Sequence, residues 1–147
     1  MIRGIALALA ASGLGLGLGL GMAAADGIQP GLWRVITVVV SNGARMPPQS
    51  SLRCLSGEQA NNLADTFSPR FGGINTSCER TEYQKSEQKM TWRLMCKGQV
   101  NMDSKAEFIF HSPIRYTAAI ATKSWIADQL AMESEVTLQG EFVRPCQ

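Results

Sequence analysis
Apolar and polar residues alternate with period two over most of the second half of this chain. Met90, Trp92, Leu94 and Cys96 alternate with Thr91, Arg93, Met95 and Lys97. Ala106, Phe108 and Phe110 alternate with Glu107, Ile109 and His111. Ile114, Tyr116, Ala118 and Ile120 form a third such set, and Met132, Ser134, Val136, Leu138, Gly140 and Phe142 a fourth. Successive side chains of a strand point to opposite faces, so this pattern predicts strands with one buried and one wet face. Short polar or proline-containing links at 85–89 and at Ser112-Pro113 predict hairpins between them. The stretch from Lys123 to Ala131 fits either a short helix or an irregular crossing.

The first half reads differently. Leu32 to Val40 is rich in β-branched residues and predicts a well-buried strand. Ser41-Asn42-Gly43 is a turn signal, Met46-Pro47-Pro48 extends the loop, and Ser50 to Leu55 suits a short return strand. Ser56 and Gln59 then form a capping-box pattern. Ala60, Leu63, Ala64 and Phe67 follow at helical spacing, and Pro69 ends the run, which predicts one helix from Ser56 to about Phe67. The fold class expected is mainly β: about seven strands in an antiparallel up-and-down meander, closing as a small barrel or sandwich, with one short helix. Closure would hide the sheet edges.

The amino terminus carries a different signal. Arg3 is the only charge before Asp26, the run from Gly4 is built of Ala, Leu and Gly, and it closes on Ala23-Ala24-Ala25. A basic start, an apolar middle and a small-residue junction are the parts of a secretory signal peptide. Its many glycines disfavour a stable membrane-spanning helix. The domain plan expected is a signal peptide at 1–25 and a single β-rich domain at 26–147, periplasmic or secreted after cleavage near Ala25.

The chain has 14 Lys+Arg against 12 Asp+Glu, and the charges are scattered. This gives no electrostatic reason to expect nucleic acid as a partner, nor stable membrane insertion once the signal is removed. All four cysteines, Cys54, Cys78, Cys96 and Cys146, fall after the expected cleavage point. An even count in an exported chain reads as two disulfides, and the absence of any C-x-x-C pair argues against zinc. Cys78 and Cys96 flank a hairpin. If the helix carries the chain to the opposite end of the sheet, meander alternation returns Cys146 to the end where Cys54 sits. That geometry favours Cys78–Cys96 with Cys54–Cys146. Pairing Cys54 with Cys78 and Cys96 with Cys146 fits instead if the helix returns to the end it left. The favoured pairing needs a bulge near Arg80 and Glu82, which strict register would set on the face of Leu94 and Trp92.

Candidate chemistry is sparse. His111 is the only histidine, and no nucleophile or metal-ligand motif accompanies it. Glu133, Glu135 and Glu141 share the polar face of one strand, as a solvated surface would. Met46, Met90, Met95, Met102 and Met132 are dispersed, unlike a copper-binding cluster. Asn75-Thr76-Ser77 matches a glycosylation sequon but suits a plain polar loop. No cofactor, metal site or enzymatic activity is expected. Trp33, Trp92, Phe108, Phe110, Tyr116 and Phe142 fall on or beside strand faces. They either fill the core, as aromatics commonly do, or some of them (Trp33, Trp92, Phe108, Phe110 and Tyr116) line a ligand cavity in a small barrel.

Several landmarks together resemble the bacterial exported family called domain of unknown function thirty-six seventeen. They are Pro30-Gly31-Leu32-Trp33, then Cys54-Leu55 before a capped helix, then Cys78, then Trp92 four residues before Cys96. Tyr116 in a later strand and Gly140 shortly before Cys146 complete the set. The chain departs from the pattern at Arg34 and in its Pro145-Cys146-Gln147 ending. The resemblance implies an exported, β-rich, disulfide-bonded protein and assigns no reaction. The role expected is a non-catalytic binding module for a small apolar ligand or an envelope component. The alternative is a protein-interaction or enzyme-inhibitor module acting through 45–49 or 69–75.

Overall fold
A computed structural model of the protein describes residues 27–68 and 76–147. The signal peptide expected at 1–25 and the loop expected at 69–75 lie outside the described residues. The strands are β1 (Gly31–Ser41), β2 (Ala44–Arg45), β3 (Gln49–Leu55), β4 (Thr76–Lys85), β5 (Lys89–Gly98), β6 (Asn101–Ser112), β7 (Arg115–Ile126) and β8 (Gln129–Arg144). Two short helices, α1 (Gly57–Asn61) and α2 (Leu63–Thr66), lie between β3 and β4.

All the strands belong to one antiparallel sheet of order β2-β1-β8-β7-β6-β5-β4, with β3 also on β1. The expected meander is present from β4 to β8, and the last strand pairs antiparallel with the first along ten positions. The ring does not close, because β3 and β4, the strands that would have to meet, do not pair. β2 pairs with Val40 and Ser41, and β3 pairs with Gly31 through Thr37. Pro47 and Pro48, which lack a backbone donor, interrupt the ladder between these two segments. The open edges are β4 on one side and β2 with β3 on the other, and the helical segment lies between β3 and β4. The helical segment bridges them. Arg53 of β3 donates to the Thr66 carbonyl, and Arg80 of β4 pairs with Asp65 at 3.0 Å and also reaches the Ser68 hydroxyl.

The capping box forms as expected: the Ser56 hydroxyl accepts from the Gln59 backbone, and the Gln59 side chain accepts from the Ser56 backbone. The single helix expected from Ser56 to Phe67 is instead two. Asn62 breaks it, with φ −109° and ψ 68°, and its side-chain oxygen caps the Asp65 amide. Asparagine side chains offer the backbone such local alternatives to continuous helix. Ala60, Leu63 and Phe67 still form one buried face.

The segment 123–131, left open between helix and crossing, is a continuous β7–β8 hairpin. Its two-residue turn is Ala127-Asp128, both with positive φ. Ile114, expected among the inward residues of its strand, sits in the turn before β7 and is half exposed. Both disulfides take the favoured pairing. Cys78 and Cys96 are directly opposite on β4 and β5, and Cys54 meets Cys146 across the start of β1. They sit at opposite ends of the sheet. The expected bulge is also present: pairing jumps from Thr81↔Arg93 to Gln84↔Thr91, and Glu82 takes φ +53°.

Candidate functional site
One face of the sheet carries the core, and the register identifies its members. Trp33 on β1 lies opposite Phe142 on β8, and Gly140 lies beside Tyr116 on β7. Tyr116 lies opposite Phe110 on β6, while Phe108 sits between Ala118 and Met90. This inner face is closed at one end of the sheet by α1 and α2. Phe67 reaches down to contact the rings of Phe108, Phe110 and Tyr116 at centroid distances of 5.0–6.4 Å. Gly140 makes this possible, since a Cβ there would collide with the Tyr116 ring. Tyr116 thereby lies across β8 and meets Trp33 at 5.5 Å.

Trp33, Trp92, Phe108, Phe110 and Tyr116 are thus brought to one face, and all five are buried. Four of them share one ring network with Phe67 and Phe142. The Trp33 indole donates to the Gln29 carbonyl at 2.9 Å. Burial pushes the Tyr116 hydroxyl up to about 12, an effect the nearby Arg53 charge partly offsets. Trp92 stands apart. It lies opposite Ala106, and its indole N–H has no partner among the described residues.

Beyond this packed end the same face continues along longer strands, and its exposure changes. Val35, Thr37 and Val39 on β1, Ile120 on β7, and Val136 and Leu138 on β8 are half-buried. Register joins them in rows: Thr37↔Leu138↔Ala118, then Val39↔Val136↔Ile120, which runs on to Ala106 and Trp92. The opposite face is charged and wet. There Arg93 grips Asp103 through two hydrogen bonds of 2.7 and 2.8 Å and also reaches Glu82 on the bulge. Arg93 holds the Asp103 carboxyl below its ordinary value, chiefly through those hydrogen bonds. Glu133 pairs with Lys123, and Glu141 sits between Arg34 and Arg115 in register. The three glutamates therefore lie on that wet face.

His111 is exposed and hydrogen-bonds the Thr117 hydroxyl at 2.9 Å. No group of three His, Cys, Asp or Glu side chains able to hold a metal occurs among the described residues. A polar cleft of about 750 Å³ opens beside the helices, lined by residues that include Arg53, Glu58, Gln59 and Asp65. Its mixed charges define no single ligand chemistry. The half-buried apolar rows are the better candidate. The period-two signal contained them, since Val136, Leu138 and Ile120 alternate with polar residues.

A family model described as a protein of unknown function, DUF3617, matches residues 28–146. The chain belongs to the DUF3617 family. That is the family its cysteine, tryptophan and glycine landmarks resemble, and the match covers every described strand. No curated protein and no solved structure matches the chain. The structure gives the DUF3617 landmarks physical roles in this chain. Gly31 and Gly140 make room for Phe142 and Tyr116, Trp33 and Trp92 fill the inner face, and the four cysteines staple the two ends.

Proposed function
We propose that this DUF3617 chain is an exported, non-catalytic binding module that takes a small apolar ligand or envelope component on the open half of its inner face. The observation that carries the reading is the half-buried apolar rows from Val35 to Val39, continued by Leu138, Val136 and Ile120. A sheet normally covers its apolar face with another layer. Here the helical cover contacts the aromatic end, through Phe67, and the rows beyond it keep intermediate exposure. The aromatic cluster then acts as the closed end of the binding face. Export to the periplasm is supported by the two disulfides, which suit an oxidising compartment, and by the signal-like leader.

A fluorescent apolar probe tests the reading. The protein should bind it, and Ile120→Glu or Val136→Glu should abolish binding while the strand-dominated circular dichroism is kept. Unchanged binding in both variants would exclude the inner face.

A second reading is favoured by the exposed edge of β3. Leu52 there is 62% exposed, and Met46 in the adjoining 45–49 segment is 47% exposed. Unpaired strand edges accept an added strand, which is how a protein-interaction or inhibitor module of the envelope would dock. The 69–75 segment of that alternative lies outside the described residues.

A further inference from the structure
One row of the inner face is not apolar. Ser41 on β1 lies opposite Ser134 on β8, Ser134 opposite Thr122 on β7, and Thr122 opposite Ser104 on β6. Four hydroxyl side chains thus stand in register across four neighbouring strands, immediately beside the Val39–Val136–Ile120 row. Serine is not among the residues that favour strands, so strand propensity does not account for three serines in one row. The two halves of the row differ. Ser104 is buried and shares a 2.8 Å hydrogen bond with Thr122. Ser41, Thr122 and Ser134 are half-buried.

The surroundings of the row are uncharged. On β1, β8, β7 and β6, the inward positions from the Tyr116 row to the Ser124 row carry no ionisable group except the buried Tyr116 hydroxyl. The cations nearest in register are Arg80, two strands beyond Ser104 and engaged by Asp65, Lys85, exposed on the same edge strand opposite Met90, and Arg53, beside Trp33 at the closed end. An anionic head group placed on the hydroxyl row would lose hydration and meet no opposite charge. An uncharged ester, amide or alcohol would meet hydroxyls, each able both to donate and to accept.

We propose that the ligand of this face is a neutral amphiphile. Its aliphatic chain lies along Val39, Val136 and Ile120, and its uncharged polar group hydrogen-bonds at Ser41, Ser134 and Thr122. This rests on the binding reading above and narrows it to a ligand class. It also distinguishes the site from one built for free fatty acids, which would call for a fixed cation.

Displacement of a bound apolar fluorophore by four ligands of equal chain length tests it: dodecane, dodecanol, monododecanoyl glycerol and dodecanoate. At about pH 8, where dodecanoate is ionised, the alcohol and the glycerol ester should displace the probe about tenfold more effectively than dodecanoate or dodecane. Ser134→Ala with Ser41→Ala, which leaves the Ser104–Thr122 pair intact, should remove most of the advantage of the alcohol and ester over dodecane without weakening the probe. Equal or better displacement by dodecanoate, or an unchanged preference in the double variant, would overturn the ligand class while leaving the apolar site standing. Failure of the probe itself to bind would overturn both.

Discussion

Tyr116 owes its position to an absent side chain. Its ring occupies the space over Gly140, so Gly140→Ala should displace it and cost about 2–3 kcal/mol in chemical denaturation. In a Tyr116→Ala background the same change should cost almost nothing, because the clash is gone. Additive costs would show that Gly140 is needed for some other reason. Tyr116 also sets an alkaline limit. Its hydroxyl is held protonated up to about 12 in the folded chain, against about 10 when unfolded. Stability from this group is therefore full below about pH 10 and is lost as pH rises toward 12. Tyr116→Phe should flatten the stability profile in that window, as measured by denaturation at a series of pH values. At this scale the sequence was readable in kind but not in placement. Tyr116 and Gly140 were both visible on alternating faces, yet their contact depends on a cross-strand register that no local pattern encodes.

Among the elements, the two hairpins at the far end of the sheet contrast. The β1–β2 turn is Asn42-Gly43, the pair best suited to two successive positive φ angles. The β7–β8 turn asks the same of Ala127 and Asp128, with φ of 48° and 61°. Replacing these with Asn and Gly should stabilise the protein by about 1 kcal/mol, seen as a raised Tm, since the left-handed conformation costs alanine roughly that much. An unchanged or lowered Tm would mean the turn is not limiting. The same mismatch makes 123–131 ambiguous in sequence: Ala-Asp carries no strong turn signal, so the strand pattern lapses there. The helix was readable through its capping box and apolar spacing, and its break at Asn62 was not, because a single side-chain cap decides it. The disulfides close loops of very different span, with separations of 92 and 18 residues. In the chain-entropy view, removing Cys54–Cys146 should destabilise by about 1.5 kcal/mol more than removing Cys78–Cys96. Paired serine variants compared in denaturant would check this.

For the molecule as a whole, the meander was legible, and of the two cysteine pairings left open the favoured one is the one that forms. The first follows from strand alternation, and the second from the parity of up and down strands once the helix carries the chain to the opposite end. The open edge was not legible, because it depends on β3 and β4 failing to pair across the helical segment, which no strand pattern encodes. The binding face was hidden for a related reason. Val136, Ile120 and Ser134 show as ordinary inward residues, and only the extent of the helical cover reveals that their part of the face stays half exposed. Export belongs to this scale too: protein isolated from its native host should begin at Asp26 and contain no free thiol, which amino-terminal sequencing and thiol titration would show. An intact Met1 would refute the expected leader.

Native mass spectrometry of the protein purified gently from the cell envelope addresses the binding face most directly. The account predicts a bound species of small, neutral, lipid-like mass, released by Ile120→Glu or Val136→Glu and retained in a control substituted on the wet face, such as Glu135→Gln. A protein that flies at its bare mass, and stays bare after incubation with a neutral amphiphile, would contradict it.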